Sequence, residues 1–595
     1  MANFFLIDQS LQELGGHHHD YVRCIASAAQ QADFLTTIGT NQKFHDSMAL
    51  QSLGQLKKVF RDTTYQPDSY LSGLKHLTRN HCDYLAGFRS VSRPSISRIW
   101  NLFRNYRHKL RRKRNIRNFA VDCERFFQQT LFTENDHAFF TTVNEMEFMG
   151  LAAYLANHPR TLQVNWHLQF HFNLFDGRTP EYKEQADVAL AIQNCFDAAL
   201  SRIPYHRLNF YTTSETLADQ FNSLGVGDFQ VLAYPVRPEL FDEDDSIESV
   251  TGFEQERPIR ITCPGEVRRE KKAIEYLQPL VDQIWENHIQ NGGVQIVVQR
   301  PHRKWPAREK IELKPPVEWR DVDLELGHDW VEYFSHPLSD IEYLRLLRET
   351  DVGLLFYDSR AYFSRRAGVL GELLSCGKPV IVPAGSWLGN QIAEPNFRYI
   401  DSLCNARNGC RTLELEELSW SQRNVPLPGG VLSFDEQAHP FELSFELADS
   451  ENAFVIEFDW HWPVSQGVYC RFQIEDGAEQ IIGHRTNGMS PVGLFQTDQR
   501  HVTLRMSNAF HNSTASIKQF SVHALSVPDE TPSGSVGVIA ASVDDIPCAV
   551  DEIVAHFDHY RKTSRMFSQT WCQQHEPMQT LSSLVSSSSS AGRAA

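Results

Sequence analysis

The chain has 595 residues, 41% of them hydrophobic and 11% aromatic, which is enough for two to four domains with sizeable cores. Against 57 Lys and Arg stand 74 Asp and Glu, and the net charge of −17 argues against a general nucleic-acid binder. The 11 cysteines include no CxxC pair, which predicts reduced thiols in a cytoplasmic protein and argues against a zinc site. No apolar run of 18 residues is present to span a membrane, and the amino terminus does not resemble a signal peptide.

The amino-terminal part alternates predicted strands and helices, beginning with a buried strand at Asn3–Ile7. A glycine turn follows at Gly15 and Gly16, and three histidines come directly after it. The turn lacks the GxGxxG spacing, so a dinucleotide fingerprint is not supported. His18 and His19 are either candidates for a binding cleft or residues of a solvated helix start.

A basic run occupies Arg104–Arg117, with eight Lys or Arg and no acidic residue. Leu102, Phe103 and Leu110 contribute to a partial apolar side, so the run predicts a basic amphipathic helix. Its partner would be anionic, such as the inner face of a membrane or a lipid-linked acceptor, with nucleic acid as the second option. The competing interpretation is an ordinary solvated helix face.

The segment Leu162–His171 alternates apolar and polar residues, as a strand does. An inner parallel strand is usually apolar on both faces. The polar face therefore predicts either the wet side of an edge strand or part of a site, with His167 and His171 as the candidate residues.

A proline-containing linker at Val231–Pro238 leads into a second α/β region, whose first strand is predicted at Ile259–Cys263. Gly265, Arg268 and Lys271 follow this strand. A glycine permits close approach of the backbone and the two cations neutralise charge, so the turn suits a diphosphate. The alternative is an exposed helix start.

The stretch from Thr350 to Pro383 predicts a strand, a polar and aromatic loop, a helix and a second strand. Gly377 and Pro379 mark the end of the helix. The loop lies at the carboxyl end of a strand and at the amino end of a helix, where open α/β sheets bind anionic ligands.

This stretch carries a family resemblance. The segment GELLSCGKPVIV is similar to the EAxAxGxPVV segment of group 1 glycosyltransferases, the retaining family four of the GT-B fold. The family uses two glutamates eight positions apart; the later one binds the ribose and maps onto Glu372, while the earlier one maps onto Ser364, a departure. In some subgroups a Tyr-rich loop and an Arg precede the Gly, a variant that Tyr357, Arg365 and Gly368 fit.

The turn after Cys263 is similar to the GxxRxEKG segment of the same family. The resemblance assigns Arg268 and Lys271 to the diphosphate as catalytic cations, although Lys272 stands where the family has Gly. It implies a catalytic His from the first domain, for which we select His167. The remaining donor residue of this turn is Gly265, and the acceptor-binding residues implied are Gly15, Gly16, His18 and His171.

The fold implied is α/β, with two Rossmann-like domains that face a cleft and a β-sandwich inserted into the second. The sandwich is predicted from short strands at Phe441–Leu447, Phe454–Trp460, Tyr469–Ile474, Val502–Met506 and Ile517–Leu525. The expected domains are 1–235 for the acceptor, 236–400 for the nucleotide sugar, 401–530 for the sandwich, 531–581 for the rest of the second domain with the closing helices, and 582–595 as a disordered Ser-rich tail.

The function implied is metal-independent glycosyl transfer, with retention, from a nucleotide diphosphate sugar to a glycan or lipid-linked acceptor, as in polysaccharide biosynthesis. No cofactor and no nucleic-acid partner are expected. One alternative is a nucleotide-sugar epimerase or hydrolase on the same fold. Another is a non-catalytic sugar-binding or scaffold protein, since Ser364 replaces a charged family residue.

Overall fold

A computed structural model describes residues 2–13, 16–45, 48–64, 96–175, 183–240, 257–265, 273–300, 312–319, 329–334, 338–359, 361–405, 410–420, 432–434, 441–461, 468–474, 479–484, 488–508, 515–528, 531–540 and 542–587. The chain divides into two compact units. The first comprises residues 1–175, 180–237 and 574–595, and the second comprises residues 176–179 and 238–573.

The first unit is built on a parallel sheet of seven strands. These are β1 (Asn3–Asp8), β2 (Leu35–Asn41), β3 (Gln55–Phe60), β4 (His137–Val143), β5 (Asn165–Phe170), β6 (Arg207–Thr212) and β7 (Phe229–Val231). They lie in the order β3-β2-β1-β4-β5-β6-β7, and every neighbouring pair is parallel. β4 and β5 are buried along their whole length, as expected of inner parallel strands with helices on both faces.

Helices of the first unit connect these strands. They are α1 (Gly16–Gln31), α2 (Met48–Gln51), α3 (Ile96–Phe126), α4 (Glu145–Ala156), α5 (Lys183–Leu200) and α6 (Glu215–Asn222), with a 3-10 turn at Pro159–Gln163. One face of the sheet packs against a phenylalanine-rich cluster that includes Phe126, Phe140 and Phe148. The other face packs against α1 through Tyr21 and Val22.

The second unit contains a second parallel sheet and an antiparallel region. Its strands are β8 (Ile259–Cys263), β9 (Val294–Gln299), β10 (Val331–Phe334), β11 (Val352–Leu354), β12 (Val380–Pro383), β13 (Arg411–Thr412), β14 (Ser419–Trp420), β15 (Leu432–Phe434), β16 (Phe441–Glu446), β17 (Ala453–His461), β18 (Val468–Ile474), β19 (Glu479–His484), β20 (Gly488–Gln496), β21 (His501–Asn508), β22 (Ala515–Leu525) and β23 (Gly537–Ala540). Its helices are α7 (Ala273–Ile284), α8 (Asp340–Glu349), α9 (Gly368–Ser375), α10 (Trp387–Asn405), α11 (Ile546–Ala555) and α12 (Phe557–Gln574). Shorter helical turns lie at Trp285–Ile289, Val317–Trp319, Leu415–Glu417 and Val543–Asp545, and a 3-10 turn at Pro238–Leu240 opens the unit.

The parallel sheet of the second unit has the order β10-β9-β8-β11-β12-β23. All of its pairings are parallel. Its first five strands therefore repeat the order of β3, β2, β1, β4 and β5 in the first unit, which is the order of doubly wound nucleotide-binding folds.

Two antiparallel sheets lie in the sequence between β12 and β23. One has the order β13-β22-β17-β20 with β15 on β22, and the other has the order β14-β16-β21-β18-β19. Leu443 and Phe445 of one sheet share a hydrophobic core with Phe454 and Phe495 of the other. All five strands predicted for this region are present, and the predicted fold class of two parallel α/β sheets with additional antiparallel strands is confirmed.

The carboxyl-terminal segment corrects one prediction. Helix α13 (Pro577–Ser587) covers the first six residues of the segment predicted to be a disordered tail. Leu581 and Leu584 are buried and join the core formed by α1, because they fall on one side of the helix. The Ser-rich segment therefore contains part of an apolar helical stripe that its composition did not indicate. Residues 588–595 lie outside the described part of the chain.

Candidate functional site

The strand order of each sheet defines the edge at which a ligand is expected. In doubly wound sheets the ligand binds at the carboxyl ends of the strands, at the point where the strand order reverses. In the first unit this point lies between β1 and β4, and in the second unit it lies between β8 and β11. Among the described residues, Gly265, Tyr357 and Arg365 lie in the loops after β8 and β11, and Gly16, His18, Gly368 and Glu372 lie on the helices that follow β1 and β11.

The loop after β8 begins with a glycine that its backbone requires. Gly265 has a φ of 84°, in the left-handed region that other residues rarely adopt. β8 pairs with β11 through Ile261 and Val352, so the loops that follow these two strands begin at neighbouring points of the sheet edge. The predicted diphosphate cations Arg268 and Lys271 lie outside the described residues.

The loop after β11 is aromatic and ordered around two tyrosines. The rings of Tyr357 and Tyr362 lie 4.8 Å apart, and the guanidinium of Arg365 lies 5.7 Å from the centre of the Tyr362 ring. The backbone amide of Trp387 donates to the carbonyl of Tyr362, with a distance of 2.7 Å, which ties this loop to the start of α10. Burial raises the pKa of Tyr357 well above its usual value.

Glu372 lies on α9, which begins at Gly368 and corresponds to the predicted helix. Its Oε2 accepts a hydrogen bond of 2.6 Å from the hydroxyl of Tyr343 on α8. The side chain is half-buried rather than fully exposed to solvent. A carboxylate held in this way can accept hydrogen bonds from vicinal hydroxyls, as a ribose would require.

Two neighbours of the predicted residues were not identified from the sequence. The guanidinium of Arg366 lies 5.3 Å from the ring of Trp387 and 5.9 Å from that of Trp571. The Trp571 indole donates to the carbonyl of Gly371, with a distance of 3.1 Å, so α12 holds the start of α9. No local pattern could reveal this contact, because about 200 residues separate the two partners.

The corresponding edge of the first unit is a hydrogen-bonded polar cluster around Asp8, the last residue of β1. Asp8 Oδ2 lies 2.8 Å from His18 Nδ1 and accepts a hydrogen bond of 2.9 Å from the Thr141 hydroxyl. Asp8 Oδ1 accepts the Ser10 amide at 2.9 Å. Burial alone would raise the pKa of Asp8, but His18 and these hydrogen bonds outweigh it and lower the pKa below its usual value.

His171 lies beside this cluster, just beyond the end of β5. Its Nε2 lies 2.7 Å from the carbonyl oxygen of Thr141 and 3.2 Å from Gln169 Oε1. Of the two histidines proposed independently from the sequence, His171 contacts Thr141 directly and His18 is linked to it through Asp8. Of the two acceptor glycines, Gly16 begins α1 and Gly15 lies outside the described residues. Asp8 was not identified from the sequence, although a single acidic residue at the end of an apolar strand is a recognisable sign of a site.

His167 does not belong to this edge, which corrects its predicted catalytic role. The residue is fully buried within β5, and its Nε2 lies 3.0 Å from His137 Nδ1. Its Nδ1 lies 3.3 Å from the hydroxyl of Tyr211. Burial lowers the pKa of His137 to about 4 and that of His167 well below its usual value, so both rings are neutral structural groups. The polar face of β5 faces the interior because β5 is a central strand and not an edge strand.

Comparison with solved structures finds partial matches, among them two synthases and a glycosyltransferase. A sucrose-phosphate synthase from Thermosynechococcus elongatus is 13% identical, with a TM-score of 0.39, over 67% of this chain and 85% of that chain. An α,α-trehalose 6-phosphate synthase from Burkholderia multivorans is 10% identical, with a TM-score of 0.40, over 65% and 83%. A glycosyltransferase from Rickettsia africae is 10% identical, with a TM-score of 0.37, over 64% and 79%.

No protein-family model and no curated protein matches this sequence. At the identities and TM-scores of the structural matches, what the chain does has to be argued from its own residues.

Proposed function

We propose that this protein is a glycosyltransferase that moves a sugar from a nucleotide diphosphate sugar to a glycan or lipid-linked acceptor. The observation that carries the proposal is the edge of the second parallel sheet. There, a left-handed glycine turn after β8 and the tyrosine loop with Glu372 after β11 occupy adjacent strand ends. These are the two segments whose sequences resemble the group 1 glycosyltransferases.

In this proposal the second unit binds the donor. Glu372, oriented by Tyr343, accepts the ribose hydroxyls. Arg268 and Lys271 neutralise the negative charge that builds on the leaving diphosphate as the bond to the sugar breaks, and Arg365 is the third cation. Fixed cations of this kind contribute more to the transition state than to the ground state, which is what accelerates the reaction.

The first unit supplies the acceptor site in the same proposal. A carboxylate only accepts hydrogen bonds, so Asp8 places the proton of a neutral His18 on Nδ1 and fixes the orientation of the ring. The Nε2 atom is then the basic nitrogen of the ring, suited to contact the acceptor hydroxyl whose proton is lost on transfer. His171 contributes a second imidazole at the same edge. Retention at the anomeric carbon and independence of metal are carried over from the family resemblance.

A second candidate, a non-catalytic sugar-binding protein, is favoured by one observation. Ser364, which stands where the family has its first glutamate, is fully buried. A short, buried hydroxyl is poorly suited to replace a carboxylate that contacts the donor sugar. In this case the protein would still bind the nucleotide but would not transfer a sugar.

Ligand binding tests the proposal before any acceptor is known. Thermal unfolding of the purified protein is measured against UDP, GDP, ADP and their sugars without added metal. A ligand present at about 100 times its dissociation constant should stabilise its unit by about 2.7 kcal/mol. We expect one nucleotide to shift the transition selectively, and Glu372→Gln to reduce that shift. The control variant, Glu394→Gln, changes an exposed glutamate of α10 that pairs with Arg398.

Donor consumption then separates the remaining alternatives. Turnover that requires an acceptor supports the transferase, whereas turnover without any acceptor supports an epimerase or hydrolase. Nucleotide binding with no turnover supports the non-catalytic protein. The absence of a shift with every nucleotide would contradict the donor site itself.

A further inference from the structure

The basic run of the sequence lies on α3, a helix of 31 residues. A helix of this length extends over roughly 46 Å. Arg98 and the eight cations of Arg104–Arg117 give nine Lys or Arg between Ile96 and Val121, and the sequence has no acidic residue in this interval. For a chain with a net charge of −17, this is a pronounced local reversal of sign.

One side of α3 is fixed to the first unit. Asn115, Phe119, Cys123 and Phe126 are buried, and Phe119 and Phe126 join the phenylalanine-rich core. Arg112 also faces inward, where its Nη2 lies 3.7 Å from the buried Glu145 carboxylate. The orientation of the helix is therefore set by packing, which also decides which cations remain outside.

The opposite side of α3 presents five exposed cations, which we call the basic face: Lys109, Arg111, Lys113, Arg114 and Arg117. Among the described residues, none of the five forms an ion pair. An ordinary solvated helix face usually intersperses charges of both signs at three- and four-residue spacing. Here the two acids of the helix, Asp122 and Glu124, both follow Arg117 in the chain and no acid lies among the five cations, so the five charges reinforce one another.

The residues near the basic face favour a lipid surface over a nucleic acid. Leu110 lies among the cations and is 49% exposed. In the sequence, the residues before Lys109 include Trp100, Leu102, Phe103 and Tyr106. Aromatic and aliphatic residues next to Lys and Arg are typical of helices that lie in a membrane interface. A phosphate backbone offers no comparable contact for apolar groups.

We propose that the basic face of α3 docks this protein onto an anionic lipid bilayer as a peripheral protein. Among the described residues, no helix is both long and apolar enough to cross a bilayer. The cations would lie near the lipid headgroups, and Leu110 would reach the boundary with the acyl chains. This inference is independent of the proposed transferase activity, because the surface is formed by α3 alone.

Vesicle sedimentation of the full chain tests the inference. The probes are vesicles of phosphatidylcholine alone and of phosphatidylcholine with about one third phosphatidylglycerol. We expect binding only to the anionic vesicles, and loss of binding at about 1 M salt, where the screening length falls to about 3 Å. Each Lys or Arg near an anionic surface raises the membrane partition coefficient by roughly five-fold. The triple variant Lys113→Gln, Arg114→Gln, Arg117→Gln should therefore bind about 100-fold more weakly.

A charge-matched control separates a specific surface from net charge. The control changes Arg160, Arg202 and Arg207 to Gln, all of which are exposed on the first unit. It should bind as the wild type does, and circular dichroism should show that both triple variants keep their helices. Equal binding by the two variants, equal binding to neutral vesicles, or no vesicle binding would overturn the inference. Tighter binding to a nonspecific DNA or RNA duplex than to anionic vesicles would overturn it as well.

Discussion

The two parallel sheets share the order of their first five strands but carry different chemistry at the edge where those strands end. At the first edge, small polar groups are joined in a network in which Asp8 contacts both His18 and Thr141 directly. At the second edge, two tyrosine rings and the guanidinium of Arg365 form the loop that precedes α9, and the half-buried Glu372 on that helix is held by Tyr343. The strand order decides where a site can form, and the loops decide which ligand it suits.

The comparison suggests a division of tasks. A network of a buried carboxylate and two imidazoles suits the handling of a proton. A set of cations, phenols and one carboxylate suits a nucleotide diphosphate. Variants at the second edge should therefore change donor binding and catalysis, whereas variants at the first edge should change transfer while leaving donor binding intact.

The largest effect is expected at the second edge. Arg268→Ala should lower turnover by at least about 100-fold, because it removes a cation assigned to the leaving diphosphate. Steady-state kinetics with the identified donor measures this, and Arg398→Ala, an exposed arginine of α10, serves as the control. Near-normal turnover of the Arg268 variant would exclude it from the mechanism.

The next effect distinguishes the two edges directly. Asp8→Asn should lower transfer by roughly 10- to 100-fold, since hydrogen bonds to charged groups contribute about 1.5–3 kcal/mol. The dissociation constant of the donor nucleotide, measured by calorimetry, should not change.

Asp136, which immediately precedes β4, provides a matched control for Asp8. It is a buried carboxylate that accepts the backbone amides of Asn3 and Thr133, each at 2.8 Å. Asp136→Asn should lower the stability of the first unit without a specific loss of transfer. If both variants lost transfer in proportion to stability, Asp8 would be a structural residue only.

A smaller effect is expected for nucleotide affinity. Glu372→Gln should weaken binding of the free nucleotide diphosphate by about ten-fold, and Tyr343→Phe by less, because Tyr343 acts through the orientation of Glu372. Calorimetric titration gives both values. Unchanged affinity in the Glu372 variant would remove its assignment to the ribose.

The smallest effect concerns stability and tests the correction of His167. Below the ordinary histidine pKa of 6.5 the unfolded chain binds protons that the buried rings do not, with the pKa of folded His137 at about 4. The free energy of unfolding should therefore fall between about pH 7.5 and about pH 5.5, by about 1.4 kcal/mol for each buried histidine. Hydrogen exchange of β4 and β5 peptides reports this local stability.

The double variant His137→Gln, His167→Gln should be less stable but should lose this pH dependence. It should also retain transfer activity in proportion to its folded fraction, whereas His171→Gln should lose transfer while folded. An unaltered pH dependence in the double variant would show that other groups are responsible.

Much of the second edge could be predicted from local sequence. The predicted strand, helix and strand between Val352 and Pro383 match β11, α9 and β12. The helix ends where predicted because Gly377, with a φ of 63°, adopts the left-handed conformation. These features depend on apolar runs, helical spacing and a glycine, all of which act over a few residues.

The arrangement of residues at the first edge could not be predicted from local sequence, because it depends on tertiary structure. His167 and His171 lie on the same polar face of one segment, and the sequence could not distinguish them. The position of β5 between β4 and β6 buries the first within the sheet and leaves the second at its end. The role of Asp8 also requires the pairing of β1 with β4, which brings Thr141 to it from 133 residues away.

By itself the sequence determined the class of fold, the glycine turns and the helix that carries Glu372, because these follow from short-range periodicity and backbone conformation. Only the tertiary structure decided which histidines reach the sheet edge and that Trp571 supports α9. It also decided that part of the Ser-rich tail is helical, because Leu581 and Leu584 pack into the core formed by α1. The physical reason is that burial and hydrogen bonding depend on residues distant in sequence, whose proximity is set by strand order.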